Sequence, residues 1–385
     1  MSSSADVIVV GLGAAGAATL FQLSKRGVRV LGIDRHTPPH DLGSSHGQSR
    51  ITRQAIGEGA DYAPLALRAH QLWREMEAQT GENLMLTTGC LVIGPLDIGE
   101  APLGKPKFVR RTIEVAERFA IPHEVLDAGE IRRRFPQFSP RESEVACFEP
   151  GGGLVHPERC IAAQLALAAR YGAAIRMGER VTSISQVGDV MEVTTEGATH
   201  RAAQVIVCAG PWTPGLLGGR YAADLGLYRQ TMHWFEPRRA VEFAPERMPV
   251  FIWMHGGEGG WFYGFPAVDG EAGVKVASEQ FSASLTAPEA AQRKVDAAEA
   301  AAMHALHVAG RLRGLSAKRL RSASCIYTMA PDQRFIVARD PDRDRMTVVS
   351  ACSGHGFKHS PAIGEAVAQW LTGSGPPAML APFAG

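Results

Sequence analysis

Apolar positions along this chain follow two rhythms. The unbroken run Val7-Ile8-Val9-Val10 predicts a short strand buried on both faces, as in a parallel sheet. Ala17, Ala18, Leu20, Phe21 and Leu23 then recur at helical spacing and stop at Gly27, where a helix ends. A second strand, VRVLGID, ends in Asp34. Further on, the pattern predicts a helix over 66–79, a strand at CLVIG and a helix over 157–171 whose following strand ends in Val181. A hairpin (EVTTEG, then AAQVIVCAG) feeds a buried strand that stops at Ala209-Gly210.

Residues 221–320 alternate like strands and are rich in aromatic clusters (WFEP, FIWMH, GWFYGFP); an Ala/Glu-rich helix is expected at about 287–308. From residue 321 the chain returns to short strands and closes with a helix after SGHGFKHSPAIGE. No internal repeat is present. The βα rhythm breaks off after Asp34 and resumes later. The expected class is therefore α/β (α+β): a Rossmann-like nucleotide-binding domain from 1–85, 146–220 and 321–385, with an inserted antiparallel-sheet substrate domain from 86–145 and 221–320.

The 385 residues are 45% hydrophobic and 21% charged, with a formal net charge of +1. Without a long basic run, a nucleic-acid backbone is not the expected partner. No window is apolar for the twenty or so residues a spanning helix needs. The N-terminal apolar stretch lacks a basic lead-in and follows Asp6, so it reads as a strand and not as a signal segment. The six cysteines (90, 147, 160, 208, 325 and 352) include no CxxC pair, which argues against a disulfide framework or a zinc site. A cytoplasmic monomer without a metal is the expectation.

Gly11-Leu12-Gly13-Ala14-Ala15-Gly16 sits between the first strand and helix. Gly11 makes the tight turn, Gly13 admits a pyrophosphate to the backbone and Gly16 lets helix and strand pack closely. The helix N-terminus offers free N–H groups to phosphate. Asp34 stands where an acid accepts ribose hydroxyls. Strand, glycines, helix, second strand and acid in that order predict a dinucleotide site. The fingerprint alone does not choose between NAD and FAD.

Four later motifs narrow the choice: SSHGQSRITR (44–53), WFYGFP (261–266), SCIYT with PDQRFIV (324–337) and SGHGFKHSPAIGE (353–365). Together, behind the fingerprint, they make the chain similar over essentially its whole length to the monomeric sarcosine oxidase family, which includes N-methyltryptophan oxidase and sarcosine/pipecolate oxidases. The resemblance implies an FAD enzyme that oxidises a secondary amino acid to an imine, which hydrolyses, with oxygen reduced to hydrogen peroxide. Alternatives within reach are a cyclic, pipecolate-like substrate, or a flavin dehydrogenase that passes electrons to a partner protein.

By the same resemblance, Cys325 falls on the cysteine that binds the flavin covalently; the bland reading is a buried, inert thiol. Arg53 and Lys358 fall on carboxylate-binding residues and Arg50 on an arginine beside the flavin. Arginine suits a carboxylate because its fork donates two hydrogen bonds. Arg50 and Arg53, three apart, would share one face of a helical turn. Lys275 falls on an oxygen-activating lysine, where a fixed positive charge meets developing superoxide. It alternates with Val274 and Val276, so a strand turns it to the opposite face. Tyr263 and Tyr327 fall on pocket tyrosines, with plain core packing the competing reading for Tyr263. The expected FAD contacts are Gly11, Gly13, Gly16, Asp34, Arg35, Ser44, Arg50, Ile51, Val181, Gly210, Cys325, Gly354, Gly356 and Lys358.

The chain departs from the sarcosine-type pattern at Glu279, four residues after Lys275, where those enzymes carry a histidine, and at Ser44-Ser45, where the bacterial ones have a histidine before HG. Two readings of a carboxylate at 279 stay open: repulsion of the substrate's own carboxylate, or attraction of a cationic side chain or of the amine. The identity of the amino acid is left open with them.

Overall fold

The computed structural model of the chain describes residues 5–97, 107–256, 260–268, 270, 273–373 and 375–384. The opening unit forms as the pattern predicts. Strand β1 (Ala5–Val10) is followed by helix α1 (Ala14–Lys25) and strand β2 (Val30–Asp34). Alternate side chains of β1 enter two different cores. Val7 and Val9 pack with Leu20, Phe21 and Leu23 of α1 and with the helix Ser360–Thr372, while Ile8 and Val10 pack with Leu31, Ile33 and Val205 on the other face. Each such buried aliphatic contributes about 1.5–3 kcal/mol.

β1 lies mid-sheet. It pairs in parallel with β2 and with Thr199–Val207, which pairs in parallel with Met346–Ser350. The hairpin Val181–Val187/Val190–Thr195 and the strands Ala174–Met177 and Ile336–Arg339 complete an eight-stranded sheet. Val181 opens its strand; the strand expected to end there is Ala174–Met177. The glycine turn needs its glycines for room: a Cβ on Gly16 would lie 1.7 Å from the Gly11 carbonyl oxygen, and one on Gly11 would lie 2.5 Å from that of Cys208.

The second sheet has nine strands. Its pairs are antiparallel, as expected of the inserted domain, except that Val250–Met254 runs parallel to Cys90–Gly94. Those two strands come from the two separate insertions, so no hairpin dictates their direction. In Trp261–Phe265, Phe262 packs into one core of this sheet, while Trp261 and Phe265 join the other, against which Tyr263 packs. A small three-stranded sheet pairs β3 (Arg50–Thr52) and Met85–Thr87 with Gly153–Val155.

Three local expectations are corrected. Arg50 lies in β3 with Arg53 directly after it, so they do not share a helical face; the β-branched Ile51 and Thr52 favour extension. The Ala/Glu-rich helix starts only at Ala297, where Asp296 and Glu299 form a capping box, after a short turn at Pro288–Ala290. The return from residue 321 is no short strand: Leu315–Met329 is 15 residues long and pairs along Gly226–Pro237 of the second sheet. The boundary expected at 321 therefore falls inside a strand. Cys325 thus lies in a strand of the second sheet.

Candidate active site

One cavity of about 590 Å³ runs from the ends of β1 and β2 to the inner face of the second sheet. At its first end lie Gly11, Gly13, Asp34, Arg35, Val181 and Gly210. The Asp34 carboxylate accepts the backbone N–H of Leu12 at 2.7 Å and of His36 at 2.8 Å, which fixes it beside the glycine turn. Gly13 is the N-cap of α1, and no side chain caps the helix there. The first-turn N–H groups therefore meet the cavity, where a pyrophosphate is favoured. A Cβ on Gly13 would meet nothing nearer than Ser45 Oγ at 3.8 Å and would project into the space a phosphate needs. Arg35 stacks over Trp212 (5.1 Å) and pairs with Glu289 at 3.0 Å, and all three line this end of the cavity. These residues fit an adenine dinucleotide.

The middle of the cavity is built by two loops tied to one strand. Ser44 Oγ donates to the Ile326 carbonyl at 2.5 Å, and the Ile326 N–H donates to the Gly43 carbonyl at 3.3 Å. Arg50 donates to the carbonyls of Ser44 (2.9 Å) and Ser49 (3.0 Å), so its guanidinium is fixed on the cavity wall. The second loop, Ser353 to Gly356, is anchored by the Ser353 N–H on the Thr328 carbonyl at 3.0 Å. Gly354 sits at φ +78°, in left-handed space. Lys358 follows in the short helical turn, buried, with Nζ donating to the His355 carbonyl at 2.6 Å.

At the far end, Tyr263, Tyr327, Trp261, Phe265, Ile252 and Glu279 line the cavity. Arg53 also reaches it, 1% exposed and paired with Glu58 at 2.5 Å, with a further hydrogen bond to the Ala55 carbonyl. The Arg53 guanidinium also faces the Phe108 ring at 5.4 Å.

Of the expected FAD contacts, all line the cavity except Gly16 and Cys325. Gly16 acts one step removed, in helix–strand packing. Cys325 lies behind the wall, on the same face of its strand as Tyr327, in a cluster with Met232, Trp234 and Ala277. Burial pushes its thiol up, with Arg50 and Lys275 pulling the other way. Lys275 is also one layer back. Its Nζ donates to the carbonyls of Gly47 (2.9 Å) and Ser49 (2.5 Å) and sits 3.9 Å from the centroid of Phe265. Burial, then Arg50, pushes its ammonium well below the usual lysine range.

The sequence reading missed Glu58, Phe108 and Trp261. Glu58 carries no motif signal; an acid five residues after an expected carboxylate-binding arginine is the only hint. Among the described residues no group of three or more His, Cys, Asp or Glu side chains is placed to hold a metal, and no helix is long and apolar enough to cross a membrane.

Comparison with known proteins agrees with this geometry. Residues 6–370 match the family described as FAD dependent oxidoreductase. The chain is 42% identical to a monomeric sarcosine oxidase of Streptomyces avermitilis over 382 residues, covering 97% of this chain and 95% of that protein. It is 33% identical to an N-methyl-L-tryptophan oxidase of Yersinia pestis, covering 94% of each. Among solved structures, it is similar to NikD, described as an unusual amino acid oxidase essential for nikkomycin biosynthesis, with a TM-score of 0.81, 25% identity, and coverage of 96% of this chain and 94% of that one. The nucleotide cradle, the adjoining aromatic pocket and these likenesses together make the chain a member of the FAD dependent oxidoreductase family, in the branch of the monomeric sarcosine and N-methyltryptophan oxidases.

Proposed function

We propose that this protein oxidises the C–N bond of N-alkyl amino acids with FAD, reducing oxygen to hydrogen peroxide. The observation that carries it is the continuity of one cavity, from the Gly11–Gly13 turn to an aromatic chamber with Arg53 and Lys358 in its wall. Arg53 and Lys358 hold the substrate carboxylate; the Arg53 fork is pre-set by Glu58. Trp261, Tyr263, Phe265 and Tyr327 wall the chamber that receives the substrate and exclude water. Bound FAD would supply a hydride acceptor for the carbon next to nitrogen and a route for the electrons to oxygen. Arg50, held on the cavity wall by the Ser44 and Ser49 carbonyls, would offer it a fixed positive charge.

Cys325 is our candidate for covalent attachment of FAD, and Lys275 for oxygen activation through the Gly47–Ser49 backbone it holds. We further propose that the enzyme is a cytoplasmic monomer. The test is direct. The purified protein is precipitated with acid and the pellet inspected for yellow flavin. Sarcosine, N-methyltryptophan and pipecolate are then screened for peroxide. Peroxide from an N-methyl amino acid is the expected result. Flavin reduced by substrate but not reoxidised by oxygen would overturn the oxidase reading in favour of electron transfer to a partner.

A further inference from the structure

The cavity wall carries charges of both signs: Arg50, Arg53 and Lys358 on one hand, Glu58 and Glu279 on the other. Arg53 pairs with Glu58, and both Arg53 and Lys358 act on Cys90. Glu279 acts on Tyr263 and Tyr327, adding to the burial that already raises both phenols. Glu279 stands two residues beyond the strand Val274–Ala277, on the cavity wall. Its Oε1 lies 2.9 Å from the point a Cβ on Gly354 would occupy, and the Tyr327 ring lies 3.1 Å from the same point. Carboxylate and ring are therefore close neighbours beside Gly354, on a stretch of wall that faces the cavity. Around it, Tyr263 is flanked by Trp261 (centroids 6.3 Å) and Phe265 (6.1 Å), and its hydroxyl meets that of Tyr327 at 3.2 Å.

A carboxylate among aromatic faces is the combination that binds an alkylated ammonium. The nitrogen that is oxidised is a poor occupant for this spot. It must offer its lone pair as hydride leaves the neighbouring carbon, and a carboxylate beside it would hold the proton on. A nitrogen that stays charged throughout has the opposite requirement.

We propose that Glu279, with the rings of Tyr263 and Tyr327, receives a second, non-reacting cationic nitrogen, so that the substrate class is an N-alkyl amino acid with a basic side chain. The inference rests on the N-alkyl amino acid reading above. Gly354 then has a specific part: any Cβ there would close the spot from one side.

The experiment compares Nα-methyl-L-lysine with Nα-methyl-L-norleucine, which share their carbon chain and differ in the terminal ammonium. The holoenzyme is mixed anaerobically with each, and kcat/KM is measured aerobically. The expected result is a preference of about tenfold or more for the lysine compound, a preference that falls to near parity in E279Q and is kept in E279D. Equal kcat/KM values in the unmutated enzyme overturn the proposal, and so does a preference that survives in E279Q. If E279Q does not fold, the unmutated ratio still decides. Turnover of sarcosine with no discrimination within the pair sinks this inference alone. Failure of sarcosine and of both probes to reduce the flavin sinks the underlying reading and this inference with it.

Discussion

The hydroxyl oxygens of Tyr263 and Tyr327 lie 3.2 Å apart although their strands are not neighbours. Between Trp261–Phe265 and Leu315–Met329 stand two further strands, Val274–Ala277 and Gly226–Pro237. A flat sheet would set the outer two about 14 Å apart. The sheet must curl for both rings to point into one chamber, as the usual strand twist favours. Both phenols are pushed up, chiefly by burial. Neither is expected to ionise between about pH 6 and 10, so neither phenol should set the pH dependence of flavin reduction, which we assign to the substrate amine. Y263F and Y327F are expected to slow reduction while shifting its profile by less than about 0.5 pH unit. A larger shift in stopped-flow traces would make a tyrosine the titrating group.

Lys275 gives a prediction with two readouts. Its folded-state ammonium is pushed well down, by burial first, while the unfolded chain keeps its proton up to about pH 10.4. Between those limits the unfolded state binds more protons, so this residue's contribution to stability rises with pH. K275M is therefore expected to melt about 2–4 °C higher than the parent at neutral pH, with the gap narrowing as pH approaches about 10. The same variant is expected to be reduced by substrate normally but reoxidised by oxygen at least about a hundredfold more slowly. Unchanged reoxidation would remove Lys275 from the oxygen step.

Arg53 and Glu58 separate binding from stability. Arg53→Ala strands a carboxylate only 10% exposed. It should cost about 3–5 kcal/mol in denaturant unfolding. KM for the amino acid should rise about a hundredfold with the carboxylate clamp gone. Adding Glu58→Ala should recover most of the stability and none of the affinity. Recovery of KM in the double variant would show that Arg53 does not hold substrate.

Cys325→Ser tests attachment. Acid should then release all flavin into the supernatant, while the unprecipitated protein stays yellow, because the other dinucleotide contacts are untouched. Colour that stays in the pellet would point to a different anchor.

What the sequence disclosed, and what it hid, follows from the range of the forces involved. The β1–α1–β2 unit was legible because its signals are local: an apolar run, three glycines with steric reasons, and an acid at a strand end. WFYGFP was legible as alternation, and its cavity face falls on Trp261, Tyr263 and Phe265. Arg50 and Arg53 were misplaced because spacing three suits a helix, whereas here a three-stranded sheet holds the chain extended. The helix expected from Ala287 was delayed to Ala297 by a cap that composition does not weigh. Lys275 and Cys325, expected to act on the flavin, do not themselves line the cavity, and depth from a cavity is a tertiary property. Glu58 was invisible for the same reason: its partner is close in sequence, but its burial comes from elsewhere.

The strand order has a consequence for how the molecule is made. β1 is translated well before Thr199–Val207 and Met346–Ser350, the strands that complete its sheet. The helix Ser360–Thr372 that packs on α1 arrives later still. During synthesis the nucleotide cradle is an open edge waiting for partners more than 190 residues away, while the second sheet is assembled in between. Such non-local pairing favours slow folding that stays exposed to wrong pairing until Met346–Ser350 and the helix Ser360–Thr372 have been made. Removing those two elements would take away the closing pieces of a sheet begun with β1.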